Sequence, residues 1–288
     1  MPALQEWPQR LMEMMEEAIA RHVSPEHTDF SRSIRHIHYP HENGRAHVEF
    51  RDGTAQDYDI VIIAEGVHSS SRELIAVSER VKSDPYALRY AWFSSPTNLG
   101  PYGAVFFTEG QVAVVHPPSD NNLLGFYFDK GTSEELQTTF EERIEARVKQ
   151  PDGRNSTLDT KTSDVFELKE VHLDSYAAKN VAIIGDAAHG RAPTLGFGTS
   201  LALEDAVMLA RVLNALENPS NKDIERALRF YSDVRMERVE RVYRMQSWVT
   251  TFYTKSHLKV LILAFLTKLF LLDYLVDRMK KLVSVKIT

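Results

Sequence analysis

Val181-Ala-Ile-Ile-Gly-Asp-Ala-Ala-His189 runs into Gly190-Arg-Ala-Pro-Thr-Leu-Gly-Phe-Gly198. Thr199 and Ser200 then open a helical pattern that carries Glu204-Asp205-Ala206. Four apolar residues lead straight into Gly-Asp. A small-residue turn follows, then a glycine-rich loop, then helix periodicity. A buried strand that ends at Gly-Asp and feeds a glycine-rich helix start is a device for holding a polar cofactor. The carboxylate takes ribose hydroxyls, the glycines let backbone approach a ring, and the helix N-terminus favours negative charge. A purely structural strand-turn-helix has no need of Asp, Pro and two Gly in this order.

A second stretch has the same character. Asp59-Ile-Val-Ile-Ile-Ala-Glu-Gly-Val-His-Ser-Ser-Ser-Arg72 is a strand pattern ending at Glu-Gly with a serine-rich tail closed by Arg. Together, and in this order, the two stretches resemble the flavin-contacting motifs of the class A flavoprotein aromatic hydroxylases, the para-hydroxybenzoate hydroxylase-like FAD monooxygenases. The resemblance covers about residues 4–245. It implies an α+β or α/β chain with an incomplete Rossmann-like FAD-binding subdomain, a mixed substrate-domain sheet and a helical C-terminus. It places the FAD-binding part at residues 1–80 and 165–215, the substrate sheet at 81–164 and the C-terminal helices at 216–288.

The resemblance also assigns residues. Gly185, Asp186, Pro193, Gly196, Phe197, Gly198, Thr199 and Ser200 fall on the family's cofactor loop. Asp186 holds the ribityl or ribose side, Pro193 lines the ring, and the amides around Gly196–Gly198 face its pyrimidine edge. Glu65, Gly66 and Arg72 fall on the other motif, with Glu65 standing where the family has Asp. His189 matches the motif in a mostly structural role. Phe197 and Ser200 replace polar residues common in the family, which alters the expected ring contacts. The activity implied is FAD- and NAD(P)H-dependent hydroxylation of a small apolar or aromatic organic substrate. No protein nucleophile is required, because the cofactor carries the oxygen chemistry and the protein supplies position, electrostatics and water exclusion.

One expected element is missing. No strand followed by GxGxxG occurs, and the first glycine is Gly44. The pyrophosphate half of a dinucleotide site is built on that turn. Three readings follow: a truncated product, one half of a split enzyme completed by an N-terminal chain or second subunit, or a relative that no longer uses FAD in the usual way. In all three, FAD binding by this chain alone is expected to be weak or absent. The rival functions are a flavin-free ligand- or partner-binding protein and a flavin-free cyclase or isomerase that reuses the substrate pocket.

Composition narrows the field. A chain of 288 residues with 43% hydrophobic content can bury a sizeable core. A net charge of −6 argues against a nucleic-acid binder. The absence of cysteine excludes disulfides, thiolate metal sites and a cysteine nucleophile, and fits a cytoplasmic protein. No metal is expected. His36 and His38 share a strand face near His41, but no carboxylate completes a ligand spacing.

Elsewhere the pattern predicts an amphipathic helix from Leu4 to Ile19, its apolar stripe (Leu4, Trp7, Leu11, Met14, Met15, Ala18, Ile19) packed on the core. Strands are expected at 33–39, 45–50 and 58–64, then at 88–93, 103–108, 111–116 and 123–129, and again at 165–173. Tyr90, Trp92, Phe106 and Phe126 on the middle strands are the expected substrate wall. Alternation along a strand sends aromatic residues to both faces, so part of this set is core. Arg191 faces either substrate or a neighbouring carboxylate. Helices are expected at 133–150, 203–216 and 221–248, the last with Arg235, Arg238, Arg241 and Arg244 on a solvated, salt-bridged face. The run 260–272 is apolar but too short to span a bilayer. Residues 257–283 are expected to cover the protein body, a partner chain or a membrane face.

Overall fold

The computed structural model describes residues 7–24, 27–29, 31–38, 44–75, 79–83, 88–95, 104–108, 111–115, 123–130, 166–167, 169–191 and 196–255. Helix α1 spans Trp7–His22. Strands β1 (Ile34–His38), β2 (Ala46–Phe50) and β3 (Ala55–Tyr58) form an antiparallel sheet in that order. Ala46, Val48 and Phe50 are buried while His47 and Glu49 are not, the period-two pattern of a strand with one face on a core. Gly53, at φ +85°, makes the turn between β2 and β3.

Strand β4 (Val61–Ile63) follows, then a single 3-10 turn at Ser71–Leu74 and strand β5 (Glu79–Ser83). Strands β6 (Leu88–Ser95), β7 (Ala104–Thr108), β8 (Gln111–Val115), β9 (Leu123–Lys130) and β10 (Phe166–Glu167) build a five-stranded sheet ordered β10-β6-β9-β8-β7. Strand β11 (Lys169–Leu173) pairs antiparallel with β5. Strands β12 (Ala177–Ala178) and β13 (Val181–Ile183) complete a small sheet ordered β12-β13-β4. Helix α2 (Asp186–His189) is one turn, α3 covers Gly198–Asn214 and α4 covers Asn221–Lys255. The fold is thus mixed α and β with a helical C-terminal part, as expected.

The two motif strands lie side by side. β13 runs parallel to β4, with Val181 opposite Val61 and Ile183 opposite Ile63. All three residues of β13 are buried, as a continuous apolar run in a parallel pair requires. The core around it includes Val171, Leu201, Leu209, Leu228 and Tyr231. Tyr231 donates from its hydroxyl to the Ile183 carbonyl at 3.1 Å, fastening α4 over the strand end.

Several expectations are corrected. The run 58–64 is not one strand. β3 and β4 belong to different sheets, and the break at Asp59-Ile60 is held by Asn180, whose amide donates to the Asp59 carbonyl at 2.9 Å. Segment 165–173 likewise divides into β10 and β11 in separate sheets. Over its described part the stripe of α1 is not core: Met14 and Ile19 are 55% and 50% exposed, and Met15 and Ala18 are exposed as well. Periodicity reports an apolar face without naming what covers it. The row of arginines on α4 is not uniformly solvated either, since Arg235 is buried. The helix expected at 133–150 and the tail at 257–283 lie outside the described residues. Among the described residues, no helix is long and apolar enough to cross a membrane.

Candidate cofactor site

The site forms where β13 ends. Gly185 takes φ +60° and ψ −145°, a conformation open to glycine and strained for other residues. That bend turns the chain into α2 and leaves Asp186 exposed at the carboxyl end of the parallel pair, where α/β sheets bind ligands. Gly196, at φ +68°, bends the chain again before α3. The first residues of α3, Gly198, Thr199 and Ser200, are exposed, and among the described residues no side chain caps that helix start. A Cβ on Gly198 would stand 3.8 Å from Asp186 Oδ1, so the carboxylate and the helix start are neighbours. Uncapped first-turn amides are free donors that favour negative charge, and Asp186 is an acceptor for hydroxyls. An anionic flavin edge and its polyol chain fit that donor–acceptor set. Pro193 lies outside the described residues.

The other motif supports this turn. Glu65 accepts from the Ser69 hydroxyl at 2.7 Å, the Ser71 hydroxyl at 2.6 Å and the Ser71 amide at 3.0 Å. Burial alone would raise its pKa, but these donors outweigh it and hold the carboxyl below its ordinary range. The carboxylate of Glu65 is therefore occupied in folding its own loop. Arg72 is buried and donates to the carbonyls of Ala187 at 2.9 Å and Val67 at 3.3 Å. Both residues were expected at the cofactor; in their contacts Glu65 holds its own loop and Arg72 ties that loop to the turn after β13. Gly66 bends this loop at φ +76°. Gly190 shows how close the loops come, since a Cβ there would lie 3.0 Å from Val67 Cγ2 of the other loop, besides 2.8 Å from the Asp186 carbonyl of its own turn.

Beneath the turn is a buried polar network. Asp205 on α3 accepts from the Gly185 amide at 2.8 Å, from His189 Nε2 at 2.7 Å and from Arg235 Nε at 2.6 Å. Arg235 also donates to Glu204 at 2.7 Å and to the Leu201 carbonyl at 3.1 Å. Arg238 grips both oxygens of Glu204. Burial pushes the Asp205 carboxyl up, but His189 and Arg235 together bring it below the usual range. Tyr243 donates its hydroxyl to the His189 carbonyl. His189 is fully buried, consistent with the structural role expected of it. The roles of Asp205, Arg235 and Tyr243 were not read from sequence. A signal existed: Leu201, Asp205 and Leu209 recur at four-residue spacing, which puts the carboxylate inside the apolar stripe of α3.

Arg191 follows the turn. Its Nη2 donates to His172 Nε2 at 3.1 Å, its Nε lies 3.6 Å from Glu170, and its guanidinium sits 4.2 Å from the centre of the Tyr243 ring. Of the two partners considered, it meets the carboxylate. The expected aromatic wall divides. Trp92 is in register with Phe126, and Tyr90 with Phe128, so these positions share one face of the sheet. Phe106 is in register with Ala113, and Ala113 with Tyr127, which places it on the opposite face. A period of two forbids all four from lining one wall. Among the described residues no group of three metal-ligating side chains converges.

Comparison with known proteins agrees with this geometry. The family model described as FAD binding domain matches residues 5–246, and the chain belongs to that family. Among curated relatives, it is 26% identical to the 6-hydroxynicotinate 3-monooxygenase of Bordetella bronchiseptica over 71% of this chain and 57% of that protein. It is 28% identical to the FAD-dependent urate hydroxylase of Klebsiella oxytoca over 67% of this chain and 51% of the relative. The crystal structure of Klebsiella pneumoniae HpxO complexed with FAD and uric acid shares the fold at a TM-score of 0.72 and 20% identity, covering 94% of this chain and 71% of that one. The chain spans about half the length of these two curated relatives, 57% and 51%, and of an Aspergillus terreus FAD-dependent monooxygenase, 50%.

Proposed function

We propose that this chain supplies the flavin-ring and substrate side of an FAD- and NAD(P)H-dependent monooxygenase that hydroxylates a small apolar or aromatic compound. The observation that carries the reading is the exposed Asp186 carboxylate beside the uncapped start of α3, at the carboxyl end of a parallel strand pair. When bound, the flavin supplies the redox and oxygen chemistry. Asp186 accepts from its polyol hydroxyls and fixes its orientation. The amides at Gly198–Ser200, with the α3 dipole behind them, stabilise negative charge on the ring edge. The pyrophosphate is held elsewhere, by a glycine-rich turn that a complementary N-terminal segment or chain provides. Trp92, Tyr90 and Phe126 form the aromatic face offered to substrate. Residues 257–283 cover the protein body or a partner chain, or contact a membrane surface peripherally.

The test is a fluorescence titration of the purified chain with FAD, repeated with a co-expressed GxGxxG-bearing partner segment, followed by NAD(P)H consumption with monocyclic aromatic acids. Micromolar or weaker FAD binding alone, tightened by the partner, supports the proposal. Absence of flavin binding in both settings refutes it.

A further inference from the structure

We infer that Asp205 is a positioning residue that sets the cofactor-facing turn from inside the core; the inference rests on the flavoprotein reading above. One carboxylate oxygen accepts from both ends of α2, the Gly185 amide that precedes it and the His189 ring that closes it. The other oxygen is held by Arg235, which is itself fixed by Glu204 and the Leu201 carbonyl. No side chain caps the start of α2, and Asp205 instead fixes the residue just before it, taking the Gly185 amide from a different helix. Gly185 immediately precedes Asp186, so its ψ angle sets the direction in which the Asp186 carboxylate points. Asp205 also lies two turns inside α3, the helix whose exposed start forms the other half of the site. A single buried side chain thus references both halves of the site to one point. Arg235 neutralises it, which is how a carboxylate persists without water at that depth.

The experiment compares the full chain with Asp205→Asn and with Ser232→Ala. Ser232 accepts from the Tyr176 backbone amide at 2.8 Å and bonds to none of Gly185, His189 and Asp205, so it serves as a control for general loss of stability. Three quantities are read under conditions where each protein is folded: the urea midpoint, hydrogen-exchange protection of the Gly185 amide, and FAD affinity by fluorescence. Asp205→Asn is expected to lower Gly185 protection and FAD affinity by about tenfold each, the scale of one hydrogen bond to a charged acceptor. Ser232→Ala leaves both within about twofold whatever it does to the urea midpoint, since its contact is to a backbone amide outside the hydrogen bonds that hold Gly185. Unchanged protection, or lost protection with unchanged FAD affinity, overturns the inference. If the parent chain binds no FAD with or without a partner segment, the proposed function fails, and Gly185 protection alone then upholds or overturns the role of Asp205. Should Asp205→Asn not fold, Arg235→Lys keeps the charge and loosens the grip on Asp205. Loss of both readouts there supports the inference, and no change in either overturns it.

Discussion

Arg72 Nη1 donates to the carbonyl of Ala187 at 2.9 Å, joining residues 115 positions apart. This bond ties the loop after β4 to the turn after β13. Arg72→Met removes the donors and leaves two inward carbonyls short of a partner, which costs about 2–4 kcal/mol. Urea denaturation measures it. Arg72→Lys recovers little, because one ammonium does not reproduce the fork that reaches both Ala187 and Val67. A midpoint equal to the parent's in the Met variant would remove this brace from the account.

Asp186→Ala behaves in the opposite way. Its carboxylate is exposed, so folding stability changes by less than about 0.5 kcal/mol. Flavin affinity falls by about 1–3 kcal/mol, the worth of hydrogen bonds to a charged acceptor. Parallel melting and titration series separate the two effects. Equal flavin binding by variant and parent would strip the Gly-Asp motif of its function here.

Much of this was legible in sequence, for reasons that differ from place to place. The β13 run is apolar throughout and ends at Gly-Asp, so both its strand and its site follow from residue type. Strands β6 to β9 alternate cleanly between turn residues, and their bounds emerge within a residue or two of those expected. The division was hidden because Ile60 to Ala64 is continuously apolar and the single Asp59 before it reads as one polar position of a strand, while the residue that holds the gap, Asn180, lies far away in sequence. β5, Glu79–Ser83, is charged and short, and its pairing with β11 carries no local signal. Arg235 looked solvated because its partners lie on another helix, and charge pattern along one helix cannot show a partner across a core.

Gly190 leads to a sharper test. A methyl group there meets the Asp186 carbonyl of its own turn at 2.8 Å and the Val67 side chain of the other motif loop at 3.0 Å, so Gly190→Ala strains the turn and pushes against that loop. The expected loss is about 1–3 kcal/mol, from overpacking. Gly53→Ala is the contrast: open space surrounds it, and only its φ of +85° opposes the substitution, at roughly 1 kcal/mol. Ranking the two by chemical denaturation checks the close approach directly.

The pH response follows from Asp205, Glu204 and Glu65, whose carboxyls all sit below their ordinary range in the folded protein. A lowered folded pKa means stability that is complete above the unfolded value, about 4, and is lost as pH falls toward the folded one. Stability is therefore expected to be flat from pH 8 to about 6 in this respect and to decline below about pH 4. Asp205→Asn should show a shallower acid limb than the parent. A steeper one would contradict the assignment.

The α1 stripe predicts tolerance. Met15→Lys and Ile19→Glu alter exposed positions and should shift stability by no more than about 0.5 kcal/mol in the isolated chain. A larger loss, measured by thermal melting, would mean that this face is covered.

The parallel pairing of Val61 with Val181 has a consequence for how the molecule comes into being. Closing a loop of about 120 residues costs on the order of 4 kcal/mol in chain entropy, and parallel pairing offers no hairpin to reduce it. β1 and β2, by contrast, are near neighbours in sequence and can pair early. The parallel pair that carries the Asp186 turn is complete only once segments about 120 positions apart have met. During synthesis, nothing upstream of residue 181 can present it. A ligand added to a refolding mixture would accelerate recovery only if it binds before that closure, so its effect on the rate reports the order in which the chain assembles.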